Sequence, residues 1–373
     1  MIQKYNMIKE IGSEFWIQKN YNDNHNDNIF QVNEFKKNTT FLLSGRTAID
    51  YAIHLIEKKM KVNSVYMPSY CCNSMLTPFL EKNIKIEFYT VLFDGEKFIY
   101  DIDCDKKCDI FFAMNYFGFT INNMDYYIDM FKTKNSYVIE DATHSLLSKR
   151  KYNIKSDLVV ASLRKWFPII SGGILIANNN ECAEYMKDDI ENLKHNEIYI
   201  PLKQKAMLEK NIYINQRDDT NKEEVLNKFK NANHILDIDY KSYKIDTQSY
   251  EILHKINLQE VIQKRRNNTK IIYDYLKNQK TIKYVKDINI EEDCPLFIPI
   301  FLKKNKRDNV KKYLVGNKIY CPNHWPIPDL ITDKNQKEIY NMELSLICDQ
   351  RYSEKEMEKE TNTINYFFEE KEL

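Results

Sequence analysis

The apolar positions of this chain follow two periods. In "SGRTAIDYAIHLIEKKM" a short Gly turn precedes Ala48, Ile49, Ala52, Ile53, Leu55 and Ile56 at helical spacing, which predicts an amphipathic helix. The pattern then changes to short unbroken apolar runs: "SVYM", "IKIEFYTV", "DIFFAMNYF", "SYVIED", "SDLVVAS" and "GGILIAN". Each is of strand length and rich in β-branched or aromatic residues. Stretches of helical character separate several of them, at 73–82 and 123–132. Runs without polar alternation suit strands buried on both faces. Strands alternating with helices predict a mainly parallel α/β sheet.

Beyond residue 180 the pattern becomes helical and highly charged, to about residue 233. "INLQEVIQKRRNNTKIIYDYLKNQ" then predicts a long helix starting near Asn257. "PLFIPIFL", a helix over 305–315, "ELSLI" and a final helix predict a smaller α/β unit. Ser353, with Glu356 three positions on, gives that last helix a capping-box start. The expected architecture is α/β: a large domain over 1–240 with a charged helical insert near 190–235, then a small C-terminal domain over 241–373. There is no internal repeat.

Composition narrows the function classes. Of 373 residues, 43% are hydrophobic and 29% charged, ordinary for a globular protein with a large core. The net charge of +1, without a basic tract, gives no field that would favour nucleic acid or an anionic membrane. No segment approaches the roughly 20 apolar residues of a membrane span, and "MIQKYNMIKEIGSEFW" has no signal-type apolar stretch. The expectation is a cytoplasmic protein whose eight cysteines are free thiols. Cys104 and Cys108 have no neighbouring Cys or His pair, so no metal site is expected.

In an open parallel sheet, ligands bind beyond the carboxyl ends of the strands. Those positions carry Ser69 and Tyr70, then Asn115 and Tyr116, then Asp141 and His144, then Ser162, Arg164 and Lys165. The turn Gly45-Arg46-Thr47 precedes the first helix and could offer N–H groups to an anion. Neither a dinucleotide GxGxxG nor a triphosphate GxxxxGK[ST] is present. An anion cradle, a carboxylate, an imidazole, a hydroxyl and an amine suit a cofactor with one phosphate, a basic ring nitrogen and an aldehyde. Pyridoxal 5′-phosphate meets that description.

These residues resemble a known family. "LSGRTAI", "MPSY", "NYFGF", "VIEDATHS", "SLRKWFPIISGG" and "LSLICDQRYSEKEME" look like the corresponding stretches of the DegT/DnrJ/EryC1/StrS sugar aminotransferases, over most of the chain. The resemblance implies the fold type I architecture of pyridoxal-phosphate enzymes, with a mainly parallel, seven-stranded-type sheet in the large domain. It implies that Lys165 holds the cofactor through its aldehyde, that Asp141 faces the protonated ring nitrogen, and that His144 lies near the phenolic oxygen. Ser162 with Gly45, Arg46 and Thr47 would hold the phosphate. Tyr70 lies in the segment that usually supplies a stacked aromatic, and Asn115 is placed with the cofactor-binding set. His324 in "CPNHWPIP" and Arg351 in "CDQRYS" are candidates for substrate contact.

The resemblance further implies amino transfer from glutamate to a keto group of a nucleotide-linked sugar, by a homodimer with shared active sites. Three features depart from the family, the first being that its usual stacking aromatic aligns nearer Cys72 than Tyr70. Ser162 and Lys165 are closer in sequence than is usual, and no counterpart of the family's Asn-x-Arg segment is found. Two other readings stay open: a sugar dehydratase, which in this family typically has His in place of the lysine, and a non-catalytic dimer that keeps the fold.

Overall fold

The computed structural model describes residues 10–17, 38–216 and 221–370. Met1 to Lys9, part of the stretch read as lacking a signal-type segment, lie outside the described residues, as do 217–220 within the helical insert.

Six of the eight strands of the main sheet coincide with the apolar runs: β3 (Ser64–Pro68), β4 (Lys85–Phe93), β6 (Ile110–Met114), β7 (Tyr137–Asp141), β8 (Leu158–Ser162) and β9 (Gly173–Ala177). Two more, β2 (Thr39–Leu42) and β5 (Phe98–Asp101), are too short or too polar to have been singled out by periodicity. The order is β2-β9-β8-β7-β6-β3-β4-β5. Strands β9 and β5 pair antiparallel with their neighbours, and the other contacts in the sheet are parallel. The seven strands expected are thus joined by β5, a hairpin return from β4.

Strands β3 and β6 to β9 are buried on both faces, as their unbroken runs require, whereas β4 and β5 at the margin are largely half-buried. Successive side chains of a strand leave on opposite sides. Val160 and Leu175 therefore pack with α1 (Gly45–Glu57), α2 (Asn73–Glu81), α3 (Asp125–Thr133) and α4 (Asn180–Asp189). Val159, Ala161, Ile174 and Ile176 face the other side, where Ile252 and Leu253 of α7 (Thr247–Lys255) and Leu296 cover them. Residues 247–255 lie beyond the boundary expected at residue 240, yet they pack on this large sheet.

The charged insert forms two helices packed side by side, α5 (Tyr199–Gln216) and α6 (Lys222–Ile238). Following them, α8 (Leu258–Leu276) begins at Asn257, whose side chain caps the Glu260 N–H. A small antiparallel sheet, β10 (Lys283–Tyr284), β11 (Ile298–Phe301) and β13 (Glu343–Leu346), packs with α9 (Lys304–Gly316) and α11 (Glu354–Glu370). A short parallel pair joins β1 (Ile11–Gly12) to β12 (Ile319–Tyr320), so residues near the start of the described chain pack with the C-terminal unit. The capping box at α11 is made: the Ser353 N–H donates to Glu356 Oε2 at 2.9 Å.

Glu360 of α11 gives this core a pH dependence. Its Oε1 accepts from the Ile347 N–H (3.0 Å) and the Cys321 thiol (3.1 Å), while Oε2 has no partner among the described residues. Burial outweighs those two bonds and pushes the carboxyl up from 4.5 to about 7. The unfolded chain gives up this proton first, so stability falls as pH rises from 4.5 to 7. Glu360→Gln cannot ionise. Between pH 4.5 and pH 8 its unfolding free energy is expected to fall by about 3 kcal/mol less than that of the unsubstituted protein. Parallel stability profiles from denaturant titrations would contradict this.

Candidate active site

The carboxyl ends of β6, β7 and β8 meet the start of α1 around a cavity of about 560 Å³. Asp141 reaches it because it is the last residue of β7 and points opposite to Glu140. Glu140 faces away, where Arg150 Nη1 (2.8 Å), the Asn153 N–H (2.7 Å) and Ser156 Oγ (2.7 Å) satisfy it. Asp141 has a different environment. Its Oδ1 accepts from the Thr143 N–H at 2.8 Å, and Oδ2 makes no hydrogen bond to the described residues. Burial raises its carboxyl above the usual range, against the Thr143 bond and the positive charge of Lys165. An under-compensated carboxylate of this kind calls for a cation.

Helix α1 starts where it does because Ser44 has extended backbone and its Oγ accepts from the Thr47 N–H at 3.1 Å. The Gly45 and Arg46 N–H groups have no partner among the described residues and sit at the wall of the cavity. Glycine is needed beneath this helix start. A Cβ at Gly173 would lie 2.0 Å from the Ser44 carbonyl oxygen. The Ser162 N–H donates to Thr143 Oγ1 at 3.0 Å, and its own hydroxyl is uncommitted at the cavity wall. Exposed helix N–H groups and a hydroxyl form a cradle for a dianion.

Lys165 ends a single 3₁₀ turn that follows β8 directly. Its amine has no hydrogen-bond or ion-pair partner among the described residues and lies 5.9 Å from the centre of the Trp325 ring. Together with Arg164 and Trp325, Lys165 lines both this cavity and a second one of about 530 Å³. His324 and Arg351 line that second cavity. His324 is oriented by a hydrogen bond between Nδ1 and Ser345 Oγ (2.8 Å) and by donation from its backbone N–H to Glu343 Oε2 (2.6 Å). The Arg351 guanidinium is already committed: it holds Asp349 through Nε (2.9 Å) and Nη2 (2.7 Å) and donates to the Glu14 and Ser13 carbonyls.

At five expected positions the side chain lies elsewhere than expected. Arg46 borders the first cavity, but its guanidinium donates to the Leu236 carbonyl (3.0 Å) and Asp237 (2.7 Å), tying α1 to α6. Thr47 Oγ1 donates to the Tyr240 carbonyl at 2.8 Å and does not line the cavity. Tyr70 is fully buried in an aromatic cluster with Tyr116, Trp325 and Tyr340; Cys72 and Met75 border the cavity in its place. Asn115 turns toward Glu140 (3.4 Å), on the opposite side of the sheet from Asp141. His144 is also out of the cavity. Its Nδ1 accepts from the Phe117 N–H (3.1 Å), and its ring stacks on Trp325 at 5.8 Å. Burial, with the charges of Lys165 and His324, keeps that imidazole well below its usual pKa and hence neutral.

Residues not anticipated also form the site. Asn233, Leu236 and Asp237 bring α6 to the first cavity, a long-range packing without a local signal. Trp325 had one, as the aromatic of the Pro-rich "HWPIP" loop.

The residues present fit pyridoxal 5′-phosphate. Asp141 would face its ring nitrogen, the start of α1 with Ser162 would take its phosphate, and Lys165 its aldehyde. No family model and no curated protein matches the chain. Solved structures do match. TlmJ, an aminotransferase from Streptoalloteichus hindustanus, is 11% identical with a TM-score of 0.65 over 90% of this chain and 87% of its own. Helicobacter pylori PseC, an aminotransferase of pseudoaminic acid biosynthesis, is 14% identical with a TM-score of 0.62, over 89% and 86%. The E. coli GDP-4-keto-6-deoxy-D-mannose-3-dehydratase, solved with bound hydrated PLP, is 13% identical with a TM-score of 0.67, over 96% and 100%. At such identities the likeness is one of architecture: over about nine tenths of its length or more, the chain shares the fold of these aminotransferases and of the dehydratase.

Proposed function

We propose that this protein is a pyridoxal-phosphate-dependent aminotransferase that moves an amino group from glutamate to a keto group of a nucleotide-linked sugar. The observation that carries this reading is the convergence of an unpaired amine, Lys165, and an under-compensated buried carboxylate, Asp141, in one cavity with an open helix N-terminus. When bound, the cofactor supplies an aldehyde for covalent attachment and an electron-withdrawing ring.

The chain's own residues do the rest. Asp141 would keep the ring nitrogen protonated, since a carboxylate in a buried site favours an adjacent positive charge. Gly45, Arg46 and Ser162 anchor the phosphate through N–H and hydroxyl groups. The Lys165 amine would hold the aldehyde and would also be the group that moves a proton at the substrate carbon. Trp325 closes the side shared with the second cavity, where substrate would enter past His324. Arg351 serves this entrance by fixing residues 13–14 there. The reading includes a homodimer with shared sites and a cytoplasmic location; the eight unbridged thiols support the latter.

Incubating the loaded protein with glutamate tests the proposal. The expected result is stoichiometric release of 2-oxoglutarate. The likeness to the E. coli dehydratase favours a second reading, loss of water from the sugar. Absence of 2-oxoglutarate, together with dehydration of a keto-deoxy nucleotide sugar, would establish that reading instead.

A further inference from the structure

The second cavity is lined by several cations, and two of them are paired with carboxylates while a third is held by neutral acceptors. Arg351 pairs with Asp349, and Lys222 with Glu10 at 2.9 Å. Arg265 is held by Gln350 and the Pro295 and Leu296 carbonyls. Glu14, the other acid at this wall, is committed to Lys203 at 3.0 Å.

Arg164 is the least satisfied of the arginines there: among the described residues it makes no ion pair, and Glu14, which lies within electrostatic reach of it, is bonded to Lys203. Its Nη1 donates only to the Tyr199 hydroxyl (2.8 Å), which in turn donates to the Ile170 carbonyl (2.9 Å). Its Nε is buried without any partner. A half-buried guanidinium with an orphaned N–H is costly unless an oxyanion completes it. The planar fork suits a carboxylate, which it can take with two parallel bonds. Arg164 also stands at the one wall common to both cavities, beside Lys165.

We propose that Arg164 binds a carboxylate of the amino-group donor and sets the enzyme's preference for an acidic amino acid over a neutral amine. This rests on the function proposed above and deepens it. An anion held next to Lys165 belongs to the molecule that reacts at that amine. Recognition then comes from the same turn that carries the lysine, in a chain that shows no Asn-x-Arg segment. The cofactor's phosphate is the other oxyanion within reach of this wall, so the test separates the two.

Glutarate is the probe, with its diamide as the uncharged control. Calorimetry on the loaded protein should show glutarate binding at least about tenfold more tightly than the diamide. Arg164→Gln should remove at least about tenfold of glutarate affinity and Arg164→Lys less, because Lys keeps the charge but loses the fork. Retention of pyridoxal 5′-phosphate on equilibrium dialysis should change less than about threefold. The proposal is overturned if glutarate and its diamide bind the unsubstituted protein alike, or if Arg164→Gln leaves glutarate affinity intact. It is equally overturned if the variant loses the cofactor rather than glutarate, since the guanidinium would then serve the phosphate. The diamide comparison needs no variant, so it decides the matter even if Arg164→Gln does not fold. Should the unsubstituted protein take up no pyridoxal 5′-phosphate, the proposed function fails; glutarate binding to the cofactor-free protein then still tests Arg164.

Discussion

Lys165→Ala is expected to lower the glutamate-dependent release of 2-oxoglutarate by at least about four orders of magnitude. Two contributions are lost together. On the proposed function the amine would be the covalent attachment point, and among the described residues it is the only lysine lining the first cavity, hence the group expected to move a proton at the substrate carbon. Lys165 makes no ion pair with the described residues, so its truncation should cost the fold little, and the melting temperature should change by no more than a few degrees. Single-turnover measurement of 2-oxoglutarate is the check. Activity within a factor of ten of the unsubstituted protein would mean that another lysine does this work.

Asp141→Ala is the second large effect, a loss of at least about a hundredfold in the same half-reaction, with the fold kept. The carboxylate is buried and its Oδ2 is unused by the described residues, so it is available to hold a proton on the cofactor ring. Asp141→Asn keeps the shape and the Thr143 contact but removes the charge. It should therefore resemble the alanine variant in rate and the unsubstituted protein in melting temperature. If Asp141→Asn retains full activity, the carboxylate's role is confined to bonding Thr143, and the assignment of the ring nitrogen to this residue falls.

Much of this architecture could be read before any coordinates. Strands buried on both faces print as unbroken apolar runs, and "IFFAM" and "LVVAS" are buried throughout in β6 and β8. The convergence of Asp141, Ser162 and Lys165 followed from their positions at strand ends, because a parallel sheet collects such ends on one edge. What was not legible was direction. Asn115 also ends a strand run, but its side chain leaves toward Glu140, and one residue of register decides that. Tyr70 and His144 are close to the site in sequence, yet the aromatic cluster around Trp325 absorbs both. Thr47 and Arg46 were read as phosphate ligands because they open a helix. The Arg46 N–H fits that role and the Thr47 N–H is taken by Ser44, while both side chains are drawn to the segment 236–240. Contacts of that kind span almost 200 residues and leave no local mark.

The central claim is that Lys165 is the residue that carries pyridoxal 5′-phosphate. Its most direct test is borohydride reduction of the protein after incubation with the cofactor, followed by peptide mapping by mass spectrometry. A phosphopyridoxyl group on the peptide containing Lys165, and on no other at comparable yield, is the predicted result. A protein that stays unlabelled, or that carries the label on a different lysine, would contradict it.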